Sequence, residues 1–128
     1  MNPDPYSATV RSLFAAPVHA GNLDDATGLL LEKQGVRIEL QASVDGTAIG
    51  QMRFRALGCP HLIAAAEYVC AHFEGRGIAA LDEFDAGAVM QSLAVPVEKT
   101  GRILVLEDAV RALGAALRGA STSGSNQE

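Results

Sequence analysis

The sequence has few cysteines, few basic residues and no long apolar run, and each shortage excludes a class of protein. Two cysteines in 128 residues cannot form the disulfide framework of a small secreted domain. Ten basic and fifteen acidic residues give a net charge of −5, which argues against a nucleic-acid partner because that needs a basic face. No apolar run approaches the roughly 20 residues of a membrane span, so we expect no membrane partner.

Other absences narrow the function further. The first ten residues, MNPDPYSATV, lack the basic start and apolar stretch of a signal peptide, so we expect a cytoplasmic protein with reduced thiols. The sequence shows no serine–histidine–aspartate set, no phosphate-binding loop and no dinucleotide fingerprint. Conventional enzyme chemistry therefore has no support, and we expect a protein that is not an enzyme.

What the chain does contain is typical of one globular domain. Hydrophobic residues make up 48% of the sequence and charged residues 20%, which is the balance of a folded chain. We expect a single domain over residues 1–118. The remaining residues, 119–128, are polar and read as a disordered tail.

Three stretches have the pattern of strands. Residues 28–33 form a short apolar run. Apolar and polar residues alternate over 36–44 and again over 48–56, which is typical of strands with one buried face. Between the last two lies Asp45-Gly46, a hairpin signal.

The alternation of apolar and polar residues limits the possible registers of this hairpin. A two-residue Asp45-Gly46 loop would pair Leu40 with Gln51 and set apolar residues opposite polar ones along the whole face. A three-residue loop over 45–47 pairs Leu40 with Met52 instead. We therefore expect an odd-numbered loop, or a bulge.

Helical spacing covers most of the remaining chain. The predicted helices run from Pro5 to before Pro17, from Pro60 to Gly75, over 81–84 and 86–93 in two short pieces, and from Gly101 to Gly119. Strands first and helices later indicate an α+β domain. We expect a small three-stranded antiparallel sheet with helices packed mainly on one face, an N-terminal helix and a long C-terminal helix.

A tight corner, Gly58-Cys59-Pro60, joins the last strand to the next helix. It places a thiol at the first turn of a helix, where unpaired N–H groups and the helix dipole favour negative charge. Cys59 should therefore lean toward the thiolate, the form that binds metal or attacks electrophiles, although a small core residue is also possible there. Cys70 fits the apolar stripe of the helix and is expected in the core.

The order of these segments resembles the NifU N-terminal and IscU-like family of iron–sulfur cluster assembly scaffolds. The matching segments are YSATVRSLFAAPVHAG, GVRIELQASVDG, GQMRFRALGCPHLIAAAEYV, EGR and EKTGRILVLEDAVRALGAAL. The likeness covers about residues 6–118. It implies the family's α+β fold and a role in iron–sulfur cluster assembly, by binding and handing over.

The resemblance also implies a site. The family holds its cluster or metal through three cysteines, assisted by an aspartate and a histidine, and the middle cysteine corresponds to Cys59. The first cysteine falls on Lys33 and the aspartate on Gly35, while the final histidine–cysteine pair falls on Gly101 and Arg102. Only one ligand cysteine is kept. The implied cofactor is an iron–sulfur cluster or iron; zinc, or no cofactor, is also open.

Several interpretations of this altered site stay open. His61 and His19 could help Cys59 bind a metal, or both could be ordinary surface histidines. Lys33 and Arg102 could make a basic pocket around Cys59 for a persulfide or small anion, or be exposed cations. The chain could also be a metal-free interaction or regulatory module.

The resemblance also implies partner proteins. It implies a cysteine desulfurase or other iron–sulfur assembly proteins. The family's Leu-Pro-Pro-Val-Lys segment, which an Hsp70-type chaperone binds, falls on residues 95–99. Only Pro96 and Lys99 match in place, which argues against that chaperone.

Overall fold

The computed structural model describes residues 8–15, 17–24, 26–33 and 35–125, with side chains as far as residue 119. The element bounds are α1 (Ala8–Ala15), β1 (Thr27–Lys33), β2 (Val36–Asp45), β3 (Ala48–Leu57), α2 (Pro60–Phe73), α3 (Ala86–Leu93) and α4 (Thr100–Ser125). Two 3₁₀ turns, Ile78–Glu83 and Val97–Lys99, flank α3. The predicted α+β fold is confirmed; the predicted helix start at Pro5 lies outside the described residues.

The three strands form one antiparallel sheet in the order β1-β2-β3. Its inner face is buried as the alternation predicts, except that Ile49 and not Gly50 faces the core at the start of β3. Helices α2 and α4 pack against the strands. The buried strand residues are Val36, Ile38, Leu40, Ala42, Ile49, Met52 and Phe54. Because both long helices lie over this face, the sheet's other face is left to its polar side chains.

The hairpin between β2 and β3 has a different register from the one expected. Asp45 pairs with Ala48, so the loop has two residues, and Leu40 pairs with Phe54. The predicted three-residue loop and Leu40–Met52 pairing are therefore wrong. The alternative, a bulge, is present: the register shifts between Ala42 and Val44.

The bulge follows from the spacing of two core residues on β3. Ile49 and Met52 are both buried, but they lie three positions apart, whereas a regular strand returns to the same face every second residue. One extra residue must therefore be accommodated between them. The Gln51 N–H at this point donates to Ser43 Oγ at 2.9 Å, so the irregular backbone keeps a hydrogen bond.

Helix α4 completes the core. It packs across β1 and β2 and buries Ile103, Leu106, Val110, Leu113 and Leu117. The helix runs to Ser125, so the predicted end at Gly119 is wrong; one glycine inside a helix costs only about 1 kcal/mol. The domain boundary at residue 118 stays a prediction, and residues 126–128 of the tail lie outside the described residues.

Over the described part of the chain, no helix is both long enough and apolar enough to cross a membrane.

Candidate functional site

The corner between β3 and α2 fixes the position of Cys59. Strand β3 ends at Leu57 and α2 begins at Pro60, so Cys59 is the residue that caps the helix, with extended backbone (φ −79°, ψ 165°). Its carbonyl accepts from the Leu62 N–H at 3.0 Å. A Cβ at the preceding Gly58 would lie 2.6 Å from Leu62 Cδ2, so the buried Leu62 side chain would have to shift.

The Cys59 thiol is half-buried and is surrounded by donors. Burial alone raises its pKa. The Leu62 amide, the Arg102 guanidinium and the His61 amide lie near the sulfur and favour its anionic form, and together they outweigh burial and hold the pKa of Cys59 below that of an ordinary cysteine. Amides at a helix start and a neighbouring arginine are two of the environments that activate thiols, so the thiolate is favoured here.

Arg102 reaches the thiol from the first turn of α4. It is half-buried, and the 3₁₀ turn Val97–Lys99 that precedes α4 directs the chain into this position. The adjacent Gly101 carries no side chain and so supplies no donor atom. The structure thus brings together Cys59 and Arg102, two of the residues that the sequence placed in one site.

The turn between β1 and β2 lies at the same end of the sheet. Lys33 pairs with Val36, and Arg37 with Leu57, so this turn is beside the Cys59 corner. Gly35 adopts φ +76°, a backbone conformation that favours glycine, and it lines a surface depression together with Lys33 and Leu57.

The Lys33 ammonium points elsewhere. Its Nζ donates to Asp108 Oδ2 on α4 at 3.2 Å, and both side chains are about half exposed. An exposed ion pair of this kind adds at most about 1 kcal/mol. Lys33 therefore shares the end of the molecule with Cys59, but its charge is matched to α4, and the cation at the thiol is Arg102.

His61 is buried, at 1% exposure, so its interpretation as a surface histidine is wrong. Burial lowers the pKa of its imidazole, and nearby Lys99 lowers it further, against an opposite effect of Glu98. The ring therefore stays neutral at neutral pH. His61 acts on Cys59 through its backbone amide.

His19 lies in a different cluster. Its Nδ1 contacts the Glu67 carboxylate and its Nε2 lies 3.0 Å from Glu74 Oε1. Glu67 is eight residues beyond Cys59 along α2, about 12 Å at 1.5 Å per residue. Both nitrogens are engaged with carboxylates at this distance, so His19 is neither a helper of Cys59 nor an ordinary surface histidine.

This second cluster ties the loop before β1 to α2 and β3. The His19 backbone N–H donates to Glu67 Oε1 at 2.8 Å, and Glu74 Oε2 accepts from the Met52 N–H and from Arg53. Burial lowers the pKa of His19, but the two carboxylates outweigh it and raise the pKa overall. Sequence reasoning missed this cluster, although Glu67, a charged residue on the apolar face of α2, was a signal, because a buried charge needs a partner.

The donor set does not fit a complete metal centre in one chain. Within the described ranges, no group of three or more histidine, cysteine, aspartate and glutamate side chains is arranged to hold a metal ion. Zinc needs three or four such donors and a cluster usually four, whereas Arg102 has no lone pair to offer. Around Cys59 the structure offers one thiolate with a cation beside it.

Comparison with known proteins gives the family. The model of the NifU-like N terminal domain matches residues 5–119, nearly the whole chain. The chain belongs to the NifU-like N-terminal domain family. None of the curated proteins matches the sequence.

Solved structures similar to this NifU-like chain show the same fold. An iron–sulfur cluster assembly scaffold protein assigned to the SUF system of thermophilic Fervidobacterium islandicum superposes with a TM-score of 0.70 at 16% identity, covering 84% of this chain and 95% of that one. The N-terminal part of a nitrogen-fixing NifU-like protein from Brucella abortus gives 0.57 at 13% identity, covering 91% and 83%. These solved structures thus share the fold of this chain.

Proposed function

We propose that this NifU-like protein takes part in iron–sulfur cluster assembly through the Cys59 thiolate, by binding and handing over rather than by catalysing a reaction. The family match and the similarity to a SUF scaffold support the general role. The observation that carries the specific role is the position of Arg102, at the start of α4, beside the half-buried Cys59 at the β3–α2 corner, where its charge lowers the pKa of the thiol.

A cluster would be cargo of this site and would need other ligands. One thiolate supplies one of about four bonds to the iron ions. The remaining ligands must come from a partner protein, from a second copy or from a small thiol such as glutathione. Arg102 would then offset the negative charge of a thiolate-bound cluster, without being a ligand itself.

Sulfur acceptance is a second candidate, which the position of Arg102 favours. A cysteine desulfurase carries sulfur as a persulfide, R–S–SH. The Cys59 thiolate would attack the outer sulfur, a new S–S bond would form on Cys59, the donor's S–S bond would break, and the donor would leave as R–S⁻. No electrons are exchanged with a third reagent. The product persulfide is also anionic, and the Arg102 guanidinium can hydrogen-bond to it.

Anaerobic reconstitution tests the cluster role. The protein is incubated with ferrous iron and sulfide, with and without glutathione, and the iron and sulfide that remain bound to each chain are measured. We expect binding that Cys59→Ser abolishes and that the matched Cys70→Ala variant retains. Equal binding by the Cys59 variant would contradict the proposal.

Mass spectrometry after treatment with a persulfide-loaded cysteine desulfurase tests the second candidate. We expect Cys59 to gain the mass of one sulfur atom, and Cys59→Ser to gain none. If neither cluster nor sulfur binds through Cys59 while the desulfurase still associates with the protein, the metal-free interaction module is the correct function.

A further inference from the structure

Strand β1 is an open edge of the sheet. The other outer strand, β3, is covered, because Phe54 exchanges backbone hydrogen bonds with His19 and Gly21, and Ile49 with Gly75 and Arg76. No described residue makes a backbone hydrogen bond to the outer edge of β1. In an antiparallel ladder every second residue of such an edge turns its N–H and C=O outward.

The usual protection of an open edge is missing from most of this strand. Natural edges carry charges, proline or bulges that discourage pairing. The stretch 27–31 has no charge and no proline, and its pairing with β2 is regular. Charges appear only at Glu32 and Lys33.

The leucines of β1 are incompletely covered. Leu30 is 50% exposed, and Leu29 and Leu31 are half-buried against the core. Their direct partners on β2, Leu40 and Ile38, are fully buried. A further strand beside β1 would cover the edge and its leucines in the way that β1 itself covers β2.

The strand is complementary to itself when two copies run antiparallel. Centred on Leu30, the alignment sets Leu30 against Leu30 of the second copy and Leu29 against Leu31. Glu32 then faces Gly28, and Lys33 faces Thr27, so no like charges are opposed. A parallel alignment would instead place Glu32 beside Glu32, which is unfavourable.

We propose that the β1 edge binds β1 of a second copy of this chain, which joins the two sheets into one. The proposal is independent of the cluster function. Cys59 lies at the Lys33 end of β1, and an antiparallel partner places its own Lys33 end beside Thr27. The two Cys59 corners therefore lie at opposite ends of the joined strands, and pairing does not complete either site.

Charge makes the association dependent on salt. Each copy carries −5, and the repulsion between copies is screened over about 10 Å at 0.1 M salt and over shorter distances at higher salt. Association should therefore strengthen as salt is added, opposite to the behaviour of a complex held by ion pairs.

Sedimentation velocity of the full chain, from micromolar to millimolar concentration at low and high salt, tests the proposal. We expect reversible dimers that form more readily at high salt. Leu30→Lys places two ammonium groups together at the centre of the pairing and should weaken association about tenfold or more. The matched control is Leu57→Lys, which adds the same charge at an exposed leucine on the outer face of β3 and should leave association unchanged.

Hydrogen exchange identifies the surface. Amides over residues 27–33 should become more protected as concentration rises. A chain that stays monomeric at every concentration, or two lysine variants that weaken association equally, would overturn the proposal. So would protection of β1 that does not change with concentration, because it would mean that the chain's own residues cover the edge.

Discussion

Replacing Gly58 by alanine tests the packing that holds Cys59 in place. The added Cβ would lie 2.6 Å from Leu62 Cδ2, and Leu62 is fully buried, so its methyl group cannot move into solvent. Overpacking of this kind costs about 1–3 kcal/mol. Alanine also restricts the unfolded chain more than glycine does, which stabilises the folded protein by about 0.4–1 kcal/mol. We therefore expect a net loss of about 1–2 kcal/mol in the free energy of unfolding.

Urea unfolding measures this loss as a lower midpoint at an unchanged slope. Leu62→Ala alone should cost about 2–5 kcal/mol, but it removes the clash, so adding Gly58→Ala to it should cost little more. Gly119→Ala is the control, because no atom lies within 4 Å of the new Cβ, and it should stabilise α4 by about 0.5–1 kcal/mol. The reasoning is refuted if Gly58→Ala is neutral, or if its cost is the same with and without Leu62.

Two further predictions concern packing and pH. In Gly114→Ala the new Cβ would approach Leu81 Cβ to 3.2 Å, and this overpacking, at about 1–3 kcal/mol, should exceed the gain of about 0.5–1 kcal/mol from removing a glycine from a helix. We therefore expect a net loss of stability in urea unfolding, and a stabilised variant would contradict this. The pKa of His19 is raised from its ordinary 6.5 and that of Glu74 is lowered from its ordinary 4.5. Their pairing therefore stabilises the folded protein most between pH 4.5 and pH 6.5. Relative to His19→Gln, the wild type should therefore lose stability as pH rises through the raised His19 pKa, because the imidazolium is lost, and also as pH falls and Glu74 is protonated. A stability difference that is flat with pH would show that His19 does not act through its charge.

The fold could be predicted from the sequence because alternation and helical spacing are local signals, but register is a property of two strands. The Asp45-Gly46 signal gave the hairpin its position, while the bulge depended on which of Ile49 and Gly50 faces the core. The alternation predicts that Gly50 faces the core, because it lies two residues before Met52 and residues two apart on a strand share a face. Packing favours Ile49, which buries far more apolar surface.

The site could be predicted only in part. The corner and the thiolate tendency of Cys59 follow from Gly58-Cys59-Pro60, whereas its neighbour Arg102, distant in the chain, came from family resemblance and not from any local pattern. Nothing local tells whether the Lys33 ammonium turns toward Cys59 or toward Asp108. A surface lysine forms an ion pair with whichever carboxylate the fold places within its reach.

The pH dependence of Cys59 alkylation tests the central claim, that Arg102 holds this thiol as a thiolate. The measurement uses the Cys70→Ala variant, so that Cys59 is the one thiol that can be alkylated. The account predicts half-maximal reactivity at a pH below that of an ordinary cysteine, a clear upward move in Arg102→Gln, and a much smaller one in Lys33→Gln, whose ammonium is paired with Asp108. An ordinary cysteine profile in the wild type, or one unchanged by Arg102→Gln, would contradict it.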